Sequence, residues 1–291
     1  MRYGLHVVHF GPCADPRTLV SLAADAEAAG WDGFFLWDHL LVRWPADVAD
    51  PWIALAAIAA RTTRLRIGTM VTPLARRRPW KVARETVTLD HLSGGRLTLG
   101  VGLGTHPEEF EDFGEPAGLK RRAAMLDEAL AVLAGLWSGA PFTHEGAHYR
   151  VEAARFTPTP VQQPRIPVWV AGKWPNRAPF RRAARWDGVY PLGQGMDFNE
   201  KLTPAQIREI VAYIMAHRED DAPFDVAHEG ATQGGGAAQD RDRVAPYAEA
   251  GATWWLEDIN PWRFGWRGAG DWPPDTLKAM RDRVAAGPPR V

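Results

Sequence analysis

Leu65-Arg-Ile-Gly-Thr-Met-Val-Thr-Pro-Leu-Ala-Arg-Arg-Arg-Pro-Trp-Lys-Val-Ala-Arg-Glu-Thr-Val-Thr-Leu-Asp-His-Leu-Ser-Gly-Gly-Arg-Leu-Thr-Leu-Gly-Val-Gly-Leu-Gly104 holds two short apolar runs, Leu65–Val71 and Leu97–Val101. Each has the length of a buried strand. Between them Val82, Val87 and Leu89 recur at roughly helical spacing, and Ser93-Gly94-Gly95 supplies the glycine that a helix C-terminus favours. The stretch therefore reads strand, loop, helix, strand. Two strands joined this way are parallel neighbours in one sheet. The first strand ends in polar, irregular residues from Thr69 to Arg78, at the end of a parallel sheet where ligands bind.

Outward from this unit the same alternation continues. Tyr3–Phe10 is a strand with two histidines near its end, and Asp15-Pro16 opens a helix as N-cap and first helical residue. Trp31–Trp37 is a second strand, followed at once by Asp38-His39, and Pro51 starts the next helix. After Gly104 an acidic, loop-like segment leads into a helix from Lys120 to Trp137. Residues 138–165 form a proline-rich irregular insertion with short strands around Tyr149 and Phe156. Strands at Ile166–Ala171, Asp187–Leu192, Phe224–Glu229 and Thr253–Asp258 then alternate with helices at Asn176–Arg185, Pro204–His217, Asp240–Ala250 and Pro274–Ala286. Eight strands, each followed by a helix, in 291 residues predict a single (β/α)8 TIM barrel spanning 1–291. A doubly wound open sheet is the alternative. No repeat appears, and the one low-complexity tract is the short Gly234–Gly236 run.

The net charge of −1 offers nucleic acid no bulk attraction, and the single cysteine, Cys13, excludes an intrachain disulfide. No apolar run approaches the length of a membrane span, and the N-terminus reads as a strand rather than a signal peptide. A cytoplasmic protein is expected. Its expected partner is a small organic substrate, with no nucleic acid and no membrane, and a homodimer is left open.

Four places can carry chemistry. His39 follows the second strand and can act as acid, base or hydrogen-bond donor, or can simply tie down a loop. Gly100-Val-Gly-Leu-Gly104 imitates a dinucleotide fingerprint but lies mid-chain with no adequate helix behind it, so its glycines read as a close approach of backbone to a flat ring. Ala171-Gly-Lys-Trp-Pro-Asn-Arg177 runs from a strand end into a helix start with cations nearby, a natural phosphate site. Arg76-Arg77-Arg78 and Lys81 make a basic run that either meets an anionic cofactor tail or is a solvated face. His144-Glu-Gly-Ala-His148 spells a zinc-protease motif, but Pro141 and Gly146 break the helix that motif needs, so a turn between strands is expected and no metal site is assigned. The fourteen tryptophans are expected in the core or at interfaces, with a few lining an apolar pocket.

Several of these pieces together resemble one family. Gly68-Thr69-x-Val71-Thr72-Pro73, Arg76-x-Arg78-Pro79, Leu89-Asp90-x-Leu92-Ser93-x-Gly95-Arg96 and Leu99 to Gly104 are similar to the bacterial luciferase-like oxidoreductases, which use flavin or deazaflavin on a TIM barrel. The resemblance covers nearly the whole chain, most sharply residues 64–104. It implies reduced FMN or coenzyme F420 as cofactor, bound across the C-terminal mouth, and an oxidoreductase, in the FMN case a monooxygenase. It implies His39 against the ring as a base, and a bulge with a non-proline cis peptide at Thr69-Met70-Val71 buttressing the ring. It further implies Gly102 and Gly104 beside the ring, with Ala171, Gly172, Lys173, Asn176 and Arg177 around the cofactor phosphate. Some deazaflavin members place a glutamate directly after the glycine turn. This chain has Thr105 there, then His106, a departure from sugar-phosphate dehydrogenases. The alternative from another class is a barrel that binds a flavin or small ligand without turnover.

Overall fold

A computed structural model describes residues 1–195, 201–234 and 238–291, so Gly235 and Gly236 of the glycine run lie outside the described residues. The chain runs β1 (Arg2–Val7), α1 (Pro16–Ala28), β2 (Gly33–Leu36), α2 (Pro51–Arg61), β3 (Arg66–Pro73), α3 (Pro79–Ser93), β4 (Leu97–Gly102), α4 (Glu108–Glu111) and α5 (Leu119–Trp137). A hairpin, β5 (Phe142–Glu145) and β6 (Arg150–Ala154), follows. Then come β7 (Val168–Lys173), α6 (Arg177–Ala183), β8 (Gly188–Leu192), α7 (Pro204–Met215), β9 (Asp225–Gly230), α8 (Ala238–Glu249), β10 (Trp254–Ile259) and α9 (Thr276–Ala285).

The eight parallel strands close in the order β1-β10-β9-β8-β7-β4-β3-β2, which is the expected barrel. Helix ends follow the local sequence. Asp15 and Asp50 accept backbone N–H groups of Arg17 and Ile53 just ahead of Pro16 and Pro51. Thr203 and Gln206 form a reciprocal capping box on α7. Gly94 ends α3 with φ +66°, the left-handed turn that glycine takes without strain.

Strand parity decides what fills the barrel. Phe35, Trp169 and Trp254 point inward and meet edge-to-face or tilted, with centroids 5.4 to 5.8 Å apart. Gly100 faces the same interior, where a Cβ would lie 2.0 Å from the Thr69 carbonyl oxygen and against Met70. That glycine is therefore required by strand packing. Above the aromatic layer the interior ends in the half-buried Val71, Ala171 and Leu192.

The expected turn between short strands at His144–His148 is present, with the second strand ending at Ala154 rather than around Phe156, and the acidic segment changes. The insertion is ordered as the antiparallel β5–β6 hairpin, held to α5 by Glu128, whose carboxylate accepts the N–H groups of His148 and Tyr149 and lies 3.2 Å from His144 Nε2. His144 and His148 thus sit on a hairpin and not on a helix. The acidic segment after Gly104 contains a single helical turn, α4, because Phe110 is drawn into the core under Gly104 and Arg122. Its neighbour Glu109 is carried inside with it.

Candidate functional site

Parallel strands put all their C-terminal ends at one mouth, and the strand order divides that mouth into two arcs. The residues expected around a cofactor, His39, Thr69 to Val71, Gly102, Gly104 and the Ala171 to Arg177 turn, lie on the continuous arc β2-β3-β4-β7. The opposite arc, β8-β9-β10-β1, carries a charged cluster that the sequence reading missed.

On the first arc, Asp38 is the hub. Its buried carboxylate accepts the Thr72 hydroxyl at 2.6 Å, the Trp52 indole N–H at 3.2 Å, and Nη2 of both Arg76 and Arg77 at 2.8 Å. Burial pushes this carboxyl up, but Arg77 and Arg76, with Thr72, outweigh it and hold it at about 2. Arg76 and Arg77 are thus committed inward, and of the basic run Arg78 and Lys81 are left exposed. Neither alternative left open for the run, an anionic tail or a solvated face, describes Arg76 and Arg77, which pair with Asp38.

His39 projects from the residue after Asp38. Its Nδ1 lies 3.1 Å from Oε2 of Glu109, whose other oxygen accepts the Leu40 N–H at 2.6 Å. Arg76 Nη1 stands 2.9 Å from the same Glu109 carboxylate. Burial works against the Glu109 charge, but His39, Arg76 and the Leu40 N–H outweigh it and keep the carboxyl low. His106 packs edge-on to His39 with centroids 5.0 Å apart, and burial together with His39 lowers its pKa. His9 stacks on the other side; burial, the largest cause, takes it down to about 4. Glu109 was not singled out in the sequence, because it stands in a run of four acidic residues and only the burial of Phe110 distinguishes its position.

Thr69 is buried with its hydroxyl 2.8 Å from that of Thr72. The register between β3 and β4 shifts between Thr69 and Thr72, and the Met70–Val71 peptide is cis, as the resemblance implies for this bulge. A Cβ on Gly102 would lie 2.6 Å from Val71 Cγ2 and 3.5 Å from Ala171 Cβ, so Val71, Gly102 and Ala171 form one apolar shelf. Gly104 takes φ +77° over Phe110 and starts the turn that returns Glu109 to His39.

At the β7 end, Gly172 packs on Pro179, and the Asn176 N–H donates to the Lys173 carbonyl at 3.0 Å. The Arg177 guanidinium lies over the Trp174 ring at 3.9 Å and the Tyr213 ring at 4.6 Å. These residues share one turn, two strands away from β3 in the barrel order and three from β2.

On the opposite arc, His6 bridges the mouth. Its Nδ1 is 3.0 Å from Glu229 Oε2 and its Nε2 is 3.0 Å from the Met70 carbonyl oxygen on the far arc. Tyr190 donates to Glu229, and Lys201 pairs with both Glu229 and Asp258. Burial opposes the Glu229 charge, but Lys201 and His6 hold it well below the usual range. Burial and the adjacent Glu229 push Asp258 up to about 6. His6, Glu229 and Asp258 gather ligand atoms within 4.8 Å, in the spacing of a cation site, and the Lys201 ammonium already serves there as the cation. The signal was present in parity: Gly4 to His6, Ala227 to Glu229 and Leu256 to Asp258 are two-residue steps along inward-facing positions.

A family model described as luciferase-like monooxygenase matches residues 4–232. The chain belongs to the luciferase-like monooxygenase family. An uncharacterized protein of Mycobacterium tuberculosis is 37% identical over 153 residues, 52% of this chain and 52% of its own length. An F420-dependent glucose-6-phosphate dehydrogenase of Amycolatopsis mediterranei is 36% identical over 196 residues, 65% of this chain and 58% of that protein. The chain thus spans about half the length of the curated relatives it matches. Among solved structures, an F420-dependent secondary alcohol dehydrogenase holding an F420–acetone adduct superimposes with a TM-score of 0.74 at 17% identity, over 100% of this chain and 99% of the other. That likeness establishes the fold. This luciferase-like chain has no helix among the described residues that is long and apolar enough to cross a membrane.

Proposed function

We propose that the chain, as one luciferase-like barrel domain, is a cytoplasmic oxidoreductase that takes reduced F420 or reduced FMN across the β2-β3-β4-β7 arc and acts on a small organic molecule. The named relative at 36% identity makes F420 the first cofactor to test. The observation that carries the reading is the His39–Glu109 pair at 3.1 Å, set beside the Val71–Gly102–Ala171 shelf. The shelf fits a flat ring, since Val71 packs over Gly102 where a side chain would otherwise project. The Gly172 to Arg177 turn fits an anionic tail, with Lys173 and Arg177 as its cations.

When bound, reduced F420 supplies a hydride, whereas reduced FMN supplies electrons to oxygen. The chain's own part is positional and protonic. Glu109, held ionised by its neighbours, accepts from Nδ1–H of His39. That fixes the tautomer and leaves Nε2 as the atom that gives or takes a proton. The Asp38–Arg76–Arg77 group holds the loop on which His39 stands. Phe10, Trp37 and Trp262 pack behind it and keep water from that side.

The test begins with affinity for reduced F420 and reduced FMN, then turnover on a panel of small alcohols and carbonyl compounds. With a turned-over substrate in hand, His39→Asn keeps a hydrogen-bonding side chain but exchanges no proton near neutrality. We expect it to fold, to bind cofactor with the parent affinity, and to turn over about 10²–10⁴-fold more slowly. Parent turnover in His39→Asn would remove His39 from the reaction. Tight cofactor binding without turnover across the panel would favour a ligand-binding barrel.

A further inference from the structure

The end of the barrel away from the mouth carries a second concave site. Arg2, Arg66 and Trp254 are the first residues of β1, β3 and β10, and Asp32 lies just before β2, so adjacent strand starts meet at one rim. With Arg64 and Arg290 they line a cavity of about 390 Å³. That size suits a small ligand. Four guanidinium groups therefore face one space in a chain whose net charge is −1.

Carboxylates act on two of them, Glu27 on Arg64 and Asp225 with Asp90 on Arg66, but none closes an ion pair across the cavity. The Asp32 carboxylate accepts the Tyr3 N–H at 2.8 Å. Among the described residues no ion pair involves Arg2, Arg64, Arg66 or Arg290. Arg290 donates to the Gly30 carbonyl at 2.6 Å and Arg64 to the Glu27 carbonyl at 2.9 Å, while Arg66 donates to the Thr98 hydroxyl at 2.8 Å. Each guanidinium carries five N–H donors, so these bonds leave donors over. Arg2 rests on the face of Trp254 at 5.4 Å. Trp254 is itself buried, and its indole N–H has no hydrogen-bond partner. Arg2 and Arg66 repel one another across the rim, and an anion between them removes that cost. A planar guanidinium fork matches phosphate oxygens in pairs.

We propose that this rim cavity binds a compact phosphate-class oxyanion carrying two or more negative charges, held by Arg2, Arg66 and Arg290. The site lies at the N-terminal end of the strands, opposite the mouth, and is independent of the cofactor reading.

Isothermal titration of the full chain with pyrophosphate at low ionic strength tests it. To keep any anion site at the mouth out of the measurement, the titrations use a Lys173→Ala/Arg177→Ala background beside the parent. One saturable site is expected in the Lys173→Ala/Arg177→Ala background, weakening as salt is raised from about 20 to 150 mM, and the parent should keep that site whatever the mouth adds. Arg2→Gln/Arg290→Gln should bind at least about tenfold more weakly, about 1.4 kcal/mol. Both arginines are exposed, so the double variant should melt with the parent when no anion is present, and should lose the rise in melting temperature that pyrophosphate gives. Arg78→Gln, an exposed arginine at the mouth, should bind as the parent does. Absence of saturable binding at millimolar pyrophosphate, or unchanged affinity in Arg2→Gln/Arg290→Gln, overturns the site. Citrate binding more tightly than pyrophosphate overturns the phosphate class.

Discussion

Replacing Asp38 with Asn tests the hub that holds the His39 loop. The Asp38 carboxylate is fully buried, and the Arg76 side chain that pairs with it is only 2% exposed. Asn keeps the shape and removes the charge, leaving Arg77 without a counter-ion and Arg76 with Glu109 alone. Breaking one side of a buried pair costs about 3–5 kcal/mol. A second magnitude comes from protonation. The Asp38 carboxyl sits at about 2 in the folded chain. An unfolded chain has its aspartates near 3.9, so the difference is worth about 2.5 kcal/mol. The folded value is the lower one, so this stability is fully present above about pH 4 and is lost as pH falls toward 2. Urea unfolding of parent and Asp38→Asn at pH 7, then at steps down to pH 3, measures both. At pH 7 the variant should be less stable by about 3–5 kcal/mol, and the gap should narrow as the pH is lowered through 4. A variant within about 1 kcal/mol of the parent at pH 7, or a gap that stays constant to pH 3, would refute the reasoning.

The remaining predictions concern the cofactor tail, the hairpin histidines and the second arc. Lys173→Ala/Arg177→Ala should weaken F420 or FMN binding by about tenfold or more, as loss of charged hydrogen bonds requires, and an unchanged dissociation constant would count against the turn. His144→Ala and His148→Ala should keep the parent's activity and metal content; stoichiometric zinc that disappears with either change would overturn the hairpin reading. Lys201→Met leaves Glu229 and Asp258 facing each other without their cation. Their pKa values should rise above those of the unfolded chain, so stability should fall as pH rises from about 5 to 8, the reverse of the Asp38 case. Equal urea midpoints at those two pH values would dispose of that account.

The barrel was legible because its signals are local and repeated. Apolar runs of strand length, Asp-Pro helix starts and the Ser93-Gly94-Gly95 stop all survive in the structure within a few residues. His39 and the Thr69 to Val71 bulge were legible because a strand end is visible from sequence. Glu109 was not, because its role depends on Phe110 being drawn under Gly104, a contact that follows from the packing of a loop. Arg76 and Arg77 misled for a related reason. A run of three arginines looks like a solvated face until the buried carboxylate of Asp38, thirty-eight residues earlier, is brought beside it.

The two arcs differ in what their polar groups have left to offer. On the β8-β9-β10-β1 arc, Glu229 receives His6, Tyr190 and Lys201, while Asp258 receives Lys201 and the Asn260 amide at 2.6 Å. The His6 ring spends its second nitrogen on the Met70 carbonyl. On that arc the charged groups are bonded chiefly to one another. The His6 bond to Met70 fixes the bulge from inside the barrel. On the β2-β3-β4-β7 arc, His39 uses Nδ1 on Glu109, and its Nε2 has no partner among the described residues. This free nitrogen is why the proposed function puts its proton carrier at His39, with the opposite arc as the wall against which the bulge is held.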